Sequence, residues 1–182
     1  MNIDERTKAK EQLRNMQRGT SYEVAVDFYD RLRAVGLDDM SGSWDGEGLP
    51  TGHPYDGVLE RLGWRGKRFD GPEEAHPLVF DGACVNPALV PLALLRNPRL
   101  LRAPIVARLF PVVRPLLSTR KPKARLRMTE YRGVVTATMC YDDLPIHDAF
   151  RKLDDDTLVG AMDMRGFDRP FLFVLRRAEP TV

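Results

Sequence analysis

Acidic side chains are missing from one long stretch of this 182-residue chain. Between Gly82 and Thr129 there is no Asp or Glu, although ten Lys and Arg residues occur there. The whole chain has a formal net charge of +2, yet the part outside this stretch has 18 basic against 26 acidic residues. A basic segment inside an otherwise acidic chain predicts an anionic partner for that segment.

Long uncharged apolar runs are also missing. No run reaches the ~18–20 residues that a membrane-spanning helix needs. The N-terminus is charged throughout and has none of the apolar core of a signal peptide. We therefore expect a cytoplasmic protein and leave open a peripheral position at the inner membrane face.

Cysteine and histidine are scarce. Cys84 and Cys140 belong to no C-x-x-C pattern and are expected to be buried free thiols. His53, His76 and His147 have no histidine at metal-ligand spacing, so a zinc site has little support. The chain also has no P-loop, no complete G-x-G-x-x-G motif and no G-x-S-x-G elbow. We predict no cofactor, with haem on His147 and a Cys140–His147 nucleophile pair kept as alternatives.

Nucleic acid is not an expected partner. Proteins that bind single strands combine basic grooves with exposed aromatic side chains. Phe110 is the one aromatic residue between Gly82 and Thr129. The anionic partner of the basic stretch is therefore expected to be a membrane surface, contacted transiently through residues 96–127.

The stretch from Gly42 to Gly57 has five glycines, two prolines, Trp44 and Tyr55. Glycines permit tight turns and close approach, whereas a flexible linker is usually short of bulky aromatics. We expect residues 43–47 to open a β-structure with Trp44 pointing inward at its closed end. Residues 49–56 would form a loop at the rim.

This stretch resembles the signature of the GXWXG-domain family of uncharacterised bacterial proteins. Gly42, Trp44 and Gly46 match the motif that gives the family its name, and residues 51–70 resemble its continuation. Residues 124–163 are similar to the domain of unknown function that usually accompanies it. A more distant likeness is to lipocalin-like and nitrobindin-like barrels, whose first strand has a G-x-W signature beneath a ligand cavity. The likeness implies a barrel and brings no settled chemistry.

Two helical regions are expected. Residues 1–19 are polar and expected to fray, and a helix at residues 20–36 follows, with Ser21 as a candidate N-cap. Residues 86–118 are apolar and basic, and prolines interrupt them repeatedly. Because proline inside a helix costs about 3 kcal/mol, we expect several short helices there. They would form a lid over a cavity or a layer that covers the sheet.

From Ala124 the hydrophobic pattern changes to a period of two. Five short strands separated by turn residues fill residues 124–177, which is typical of an antiparallel meander. Earlier strands in residues 41–81 could close the meander into a barrel. The sequence therefore predicts a mainly β (α+β) fold, a single domain of residues 1–182 built on a lipocalin-like antiparallel barrel. A homodimer is compatible with this fold.

Two carboxylates are placed on apolar strand faces. Asp148 alternates with Ile146 and Phe150, and Glu130 shares its face with Leu126. A buried carboxylate must be paired or must raise its pKa. An internal ion pair with an arginine, recognition of a polar ligand head and acid–base catalysis together with His147 all remain open.

We predict a binding protein for a hydrophobic or amphipathic small molecule, such as a lipid or a fatty acid with an anionic head. An enzyme that acts on a hydrophobic substrate is the competing hypothesis. The proposed ligand-binding residues are Trp44, His53, Trp64, Arg125, Arg127, Met128, Tyr131, Met139, Tyr141 and Phe150.

Overall fold

The computed structural model describes residues 3–81 and 83–179. Its helices and strands, in chain order, are α1 (Ile3–Met16), α2 (Tyr22–Arg31), β1 (Arg33–Ala34), β2 (Gly42–Gly48), α3 (Val58–Arg61), β3 (Trp64–Gly71), β4 (Glu74–Phe80), β5 (Ala83–Val85), α4 (Leu92–Leu95), α5 (Pro98–Leu101), α6 (Pro104–Leu117), β6 (Ser118–Thr119), β7 (Ala124–Tyr131), β8 (Val134–Tyr141), β9 (Ile146–Asp154), β10 (Thr157–Met164) and β11 (Phe171–Arg177). Short 3₁₀ turns lie at Asp38–Met40 and Pro87–Leu89.

The alternating C-terminal sequence forms the predicted meander, in which β7 to β11 pair in order and antiparallel. Strand β11 then pairs with β2, β2 with β3, and β3 with β4. A single pair, Ala75 with Ala124, joins β4 to β7 and completes the ring. The prediction of a mainly β antiparallel barrel is confirmed, and the barrel is closed and has eight strands.

Gly46 of the GXWXG motif makes room for the Trp64 ring inside the barrel. A Cβ on Gly46 would lie 2.2 Å from the Trp64 ring, so no larger residue fits without moving that ring. Trp44 is 2% exposed, and its indole N–H donates to the Met40 carbonyl at 2.8 Å. Trp44 therefore points inward, as predicted, and fills one end of the barrel.

Two apolar layers hold the molecule together. One fills the barrel, and the other lies between the outer face of β9–β11 and the helices α1 and α2. The Ser21 Oγ accepts from the Val24 N–H at 3.3 Å, which confirms the predicted N-cap. The helix ends at Arg31 and not at Gly36. The expectation that residues 1–19 fray is wrong for α1, because Leu13 and Met16 are buried in the outer layer.

The lid segment folds into three α-helices, of which only two have the short length that its prolines predict. Helices α4 and α5 are single turns, whereas α6 extends over 14 residues and contains Pro111 and Pro115. Both prolines are exposed, so water can satisfy the carbonyl groups that they leave without a helical partner. The expectation of short helices alone is therefore wrong for α6.

Candidate functional site in the barrel cavity

A cavity of about 70 Å³ lies in the barrel where the lid covers it. The lid contributes Pro87, Val90 and Leu95, and α3 contributes Leu59. Most of the remaining wall is apolar or aromatic, and it includes Tyr55. Ligand sites for small molecules are commonly about 300–1,000 Å³. The cavity in this closed form therefore holds only a small group.

A buried ion pair lies in the cavity wall. Lys67 Nζ is 2.7 Å from Asp148 Oδ2, and the two side chains are 4% and 1% exposed. Lys67 also donates to the Pro77 carbonyl at 3.3 Å. Its ammonium group lies 5.0 Å from the Phe173 ring centroid and 5.6 Å from that of Trp64, within cation–π range. The lysine thus meets a carboxylate, a carbonyl and aromatic rings, but almost no water.

Burial dominates the electrostatics of the pair. Loss of water raises the pKa of Asp148, although the Lys67 ammonium and the neighbouring Tyr141 hydroxyl lower it in part. Burial also raises the pKa of Tyr141 well above its ordinary value, and the Asp148 carboxylate adds to that effect. Both acids therefore hold their protons more tightly than they would in water.

An unsatisfied donor lies beside the pair. The indole N–H of Trp64 is buried and has no hydrogen-bond partner among the described residues, although Trp64 lines the cavity. Buried polar groups without partners are rare in native structures. An acceptor atom of a ligand would satisfy this N–H, which makes Trp64 a candidate for recognition of a polar head.

Lys67 is buried, although its neighbours Arg65 and Arg68 are exposed and half-buried. The pairing of β3 with β4 shifts register on both sides of Gly66, whose φ is +145°. This bulge breaks the alternation, so that Trp64 and Lys67, three residues apart, are both buried. A glycine inside a strand pattern is the sequence signal that indicates such a bulge.

Some of the predicted ligand-binding residues lie at or below the cavity. Trp64 and Tyr141 line it. Trp44, Met139 and Phe150 are buried in the apolar layer that fills the barrel. These placements agree with the predicted inward faces, and the binding roles stay predictions.

His53 has partners within the protein at both ring nitrogens. The Tyr55 N–H donates to Nδ1 at 3.1 Å, so the proton lies on Nε2, which faces the Arg169 carbonyl at 3.1 Å. Burial lowers the pKa of His53, which keeps the imidazole neutral. His53 thereby ties the rim loop to the segment between β10 and β11, and its predicted contact with a ligand stays a prediction.

The predicted arginines do not face the cavity. Arg125 pairs with Asp142 at 2.8 Å, and Arg127 pairs with Glu73 at 2.7 Å. Met128 is 45% exposed. Arg125 and Arg127 alternate with the buried Leu126 and therefore lie on the outer face of β7. Met128, which was expected to line the pocket, lies on the part of β7 that extends past its pairing with β4 at Ala124.

Tyr131 lies at the far end of β7. Its ring packs edge-on against Tyr29 of α2, with ring centroids 6.3 Å apart. It therefore packs against the layer outside the barrel and does not line the cavity.

Of the catalytic alternatives, only Asp148 lies inside the barrel. Glu130 is exposed on the overhanging part of β7, so the expectation of two carboxylates in one cavity is wrong. His147 is also exposed and alternates with the cavity-lining Ile146 and Asp148. It therefore points away from the cavity and offers no haem ligand there. His147 does pair across strands with Cys140, as its spacing suggested, but burial raises the pKa of that thiol and disfavours the thiolate.

Residues 3–81 and 83–179 show no signature of a metal site or of a membrane-spanning helix. Within these ranges no group of three or more His, Cys, Asp and Glu side chains is placed to hold a metal ion. No helix in the same ranges has the length and apolar character to cross a membrane.

Two regions of the chain match known families. Residues 27–83 match the family described as GXWXG protein, and residues 122–177 match the family described as Domain of unknown function (DUF4334). A crystal structure of a protein from Thermomonospora curvata is similar, with a TM-score of 0.65 and 29% sequence identity. The match covers 94% of this chain and 99% of that one. No curated protein matches the chain.

Proposed function

For a chain that carries a GXWXG domain and its companion domain of unknown function, we propose that the barrel binds a hydrophobic or amphipathic small molecule with an anionic head. The observation that carries the proposal is the Lys67–Asp148 pair, which is buried in an apolar cavity beneath a helical lid. Fatty acids and related lipids have this combination of an apolar body and one charged group.

The head group is assigned to Lys67. Its ammonium has three N–H donors, two of which face Asp148 and the Pro77 carbonyl. A ligand carboxylate would accept from the third and from the indole N–H of Trp64, which has no partner in the described structure. Asp148, with its raised pKa, would take up a proton as the anion enters. One ammonium would then neutralise one carboxylate, and no net charge would be buried.

The apolar tail requires the lid to move, because the closed cavity is too small for it. The lid is thinly attached. Helix α4 has no buried residue, and the buried residues of the lid are Pro87, Pro98, Leu101 and Phe110. A segment with so few buried apolar contacts opens at low free-energy cost. The tail would then lie between the aromatic wall and the inner side of the lid.

A fluorescence titration with a dansyl-labelled fatty acid tests the head-group assignment. Lys67→Met should weaken binding at least about tenfold, because a hydrogen bond to a charged group contributes roughly 1.5–3 kcal/mol. Asp148→Asn should bind at least as tightly as the wild type, because it removes the competing carboxylate. Arg125→Met is the matched control on the outer surface and should bind like the wild type.

Two controls accompany this titration. The methyl ester of the same probe has no anionic head, so Lys67→Met should not weaken its binding. Lys67→Met leaves Asp148 buried without its partner, so the double variant Lys67→Met, Asp148→Leu provides a folded reference without either charge. The assignment would be contradicted if Lys67→Met and the double variant both kept the wild-type affinity, or if Arg125→Met lost as much affinity as Lys67→Met.

A second candidate function is acid–base catalysis on a hydrophobic substrate. It is favoured by the raised pKa of Asp148 next to Tyr141 and Lys67, since strongly shifted groups in cavities are candidates for proton transfer. In that case Asp148→Asn would abolish turnover but retain binding. A search for turnover across hydrophobic esters and ketones, with this variant as the control, separates the two functions.

A further inference from the structure

An apolar ridge lies on the outer side of α6. It consists of Ile105, Leu109, Val112 and Leu116, which are 57%, 50%, 73% and 81% exposed. Their spacing of four, three and four residues places them on one helical face. The barrel side of the helix is anchored by the buried Phe110, whose ring centroid lies 5.1 Å from that of Phe80. Helix α6 therefore has two apolar faces. One packs against the barrel, and the other is exposed to solvent.

The lid that includes the ridge is rich in cations without ion-pair partners. Within the described part of the chain, seven basic residues of the lid and the segment that follows it form no ion pair. Arg102 instead donates to the carbonyl groups of His53 and Asp56. The other six are Arg96, Arg99, Arg108, Arg114, Arg120 and Lys121. The next three cations along the chain are all paired, Lys123 with Asp143, Arg125 with Asp142 and Arg127 with Glu73. The positive charge of the lid is therefore not neutralised within the protein.

We propose that this surface, the α6 ridge with its six unpaired cations, docks onto an anionic phospholipid bilayer. A helix that lies in a membrane interface buries its apolar face at the boundary of head groups and acyl chains, while its basic residues meet lipid phosphates. The lid provides both features, and Arg108 lies within one turn of Ile105, Leu109 and Val112 on α6. The absence of any acidic residue in the sequence from Gly82 to Thr129 removes the repulsion that would oppose the contact.

A second copy of the chain is a poorer occupant of this surface. Two copies that met through their lids would each bring six unpaired cations to a contact made largely by α6. Like charges opposed in this way are repelled, and this repulsion is strongest at low salt. The bilayer supplies the opposite charge and an apolar interior at the same time.

The contact is independent of the ligand proposal, although the two are compatible. The surface depends on α6 and its cations, whereas the cavity depends on Lys67 and Asp148. If both are right, docking places the covered mouth of the barrel next to lipid. Lys67→Met should therefore lose the fatty-acid probe and retain binding to vesicles, so that the two proposals fail separately.

Vesicle flotation tests the inference directly. The full chain should float with vesicles of equal parts phosphatidylcholine and phosphatidylglycerol, and should not float with phosphatidylcholine alone. Added salt should weaken the binding, since exposed charges are screened. Each basic residue near the surface is worth roughly a factor of five in binding. Arg108→Ser combined with Lys121→Ser should therefore reduce binding roughly 25-fold.

The apolar part has a matched control. Val112→Glu combined with Leu116→Glu should abolish flotation, because two carboxylates replace the most exposed side chains of the ridge. Val135→Glu changes an equally apolar residue that is 55% exposed on β8, outside the lid, and should float like the wild type. The inference would be overturned if the wild type did not float with anionic vesicles, or if Val135→Glu lost as much flotation as the ridge variant. It would also be overturned if light scattering showed a dimer that the ridge variant no longer forms.

Discussion

At the scale of single residues, the Lys67–Asp148 pair is the feature that most needs an explanation. Removing two charges from water costs several kcal/mol per ion, and the attraction between them often does no more than offset that cost. A buried pair is therefore weak evidence for stability. Its position in an apolar cavity, next to a Trp64 N–H without a partner in the described structure, is better explained by recognition of a polar group.

The pair should give the protein a characteristic dependence on pH. The folded pKa of Asp148 is raised by burial, so its contribution to the free energy of unfolding is fully present below the unfolded pKa of about 3.9. It is lost as pH rises through the folded pKa. The free energy of unfolding of the wild type, minus that of Asp148→Asn, should therefore decrease as pH rises above about 4.

Urea denaturation at a series of pH values measures this difference. The comparison with Asp148→Asn cancels the titration of groups that the two proteins share. A difference that stays flat, or that increases with pH, would show that the carboxylate keeps an ordinary pKa in the folded protein.

At the scale of elements, the sequence predicted what local patterns determine. The meander followed from the alternation after Ala124, and the capped helix α2 followed from Ser21 and the spacing after it. Lys67 was missed because the bulge at Gly66 reverses the alternation within β3, and a bulge depends on pairing with β4. Glu130 was misplaced for a related reason, since the overhang of β7 depends on where β4 ends its pairing.

The lid is the element whose motion the proposed function requires. The Tyr55 hydroxyl donates to the Leu95 carbonyl and joins the rim loop to α4. Tyr55→Phe removes this hydrogen bond at a cost of about 1 kcal/mol. We expect faster amide hydrogen exchange in residues 92–101 and a faster association rate for the fatty-acid probe.

Hydrogen exchange followed by mass spectrometry localises this effect. Tyr131→Phe is the matched control, because its ring packs on Tyr29 outside the barrel, and it should leave exchange in the lid unchanged. Equal exchange in the wild type and Tyr55→Phe would mean that the lid does not depend on this contact.

At the scale of the whole molecule, a closed barrel places a polar pair inside an apolar interior and covers it with a basic lid. The sequence predicted the barrel, but not which face of each strand points inward, because ring closure depends on long-range pairs such as Ala75 with Ala124. It predicted an anionic head for the ligand but assigned it to Arg125 and Arg127, which the structure places in surface ion pairs. The likeness to lipocalin-like lipid carriers stays a prediction.

Native mass spectrometry of the freshly purified protein, followed by extraction and analysis of any bound molecule, tests the central claim most directly. We predict a near-stoichiometric adduct that is an amphipathic acid, or one that forms when a fatty acid is added, and its loss from the Lys67→Met, Asp148→Leu double variant. A folded wild-type protein that is free of any adduct, before and after incubation with fatty acid, would contradict the claim that the barrel is a binding site for such molecules.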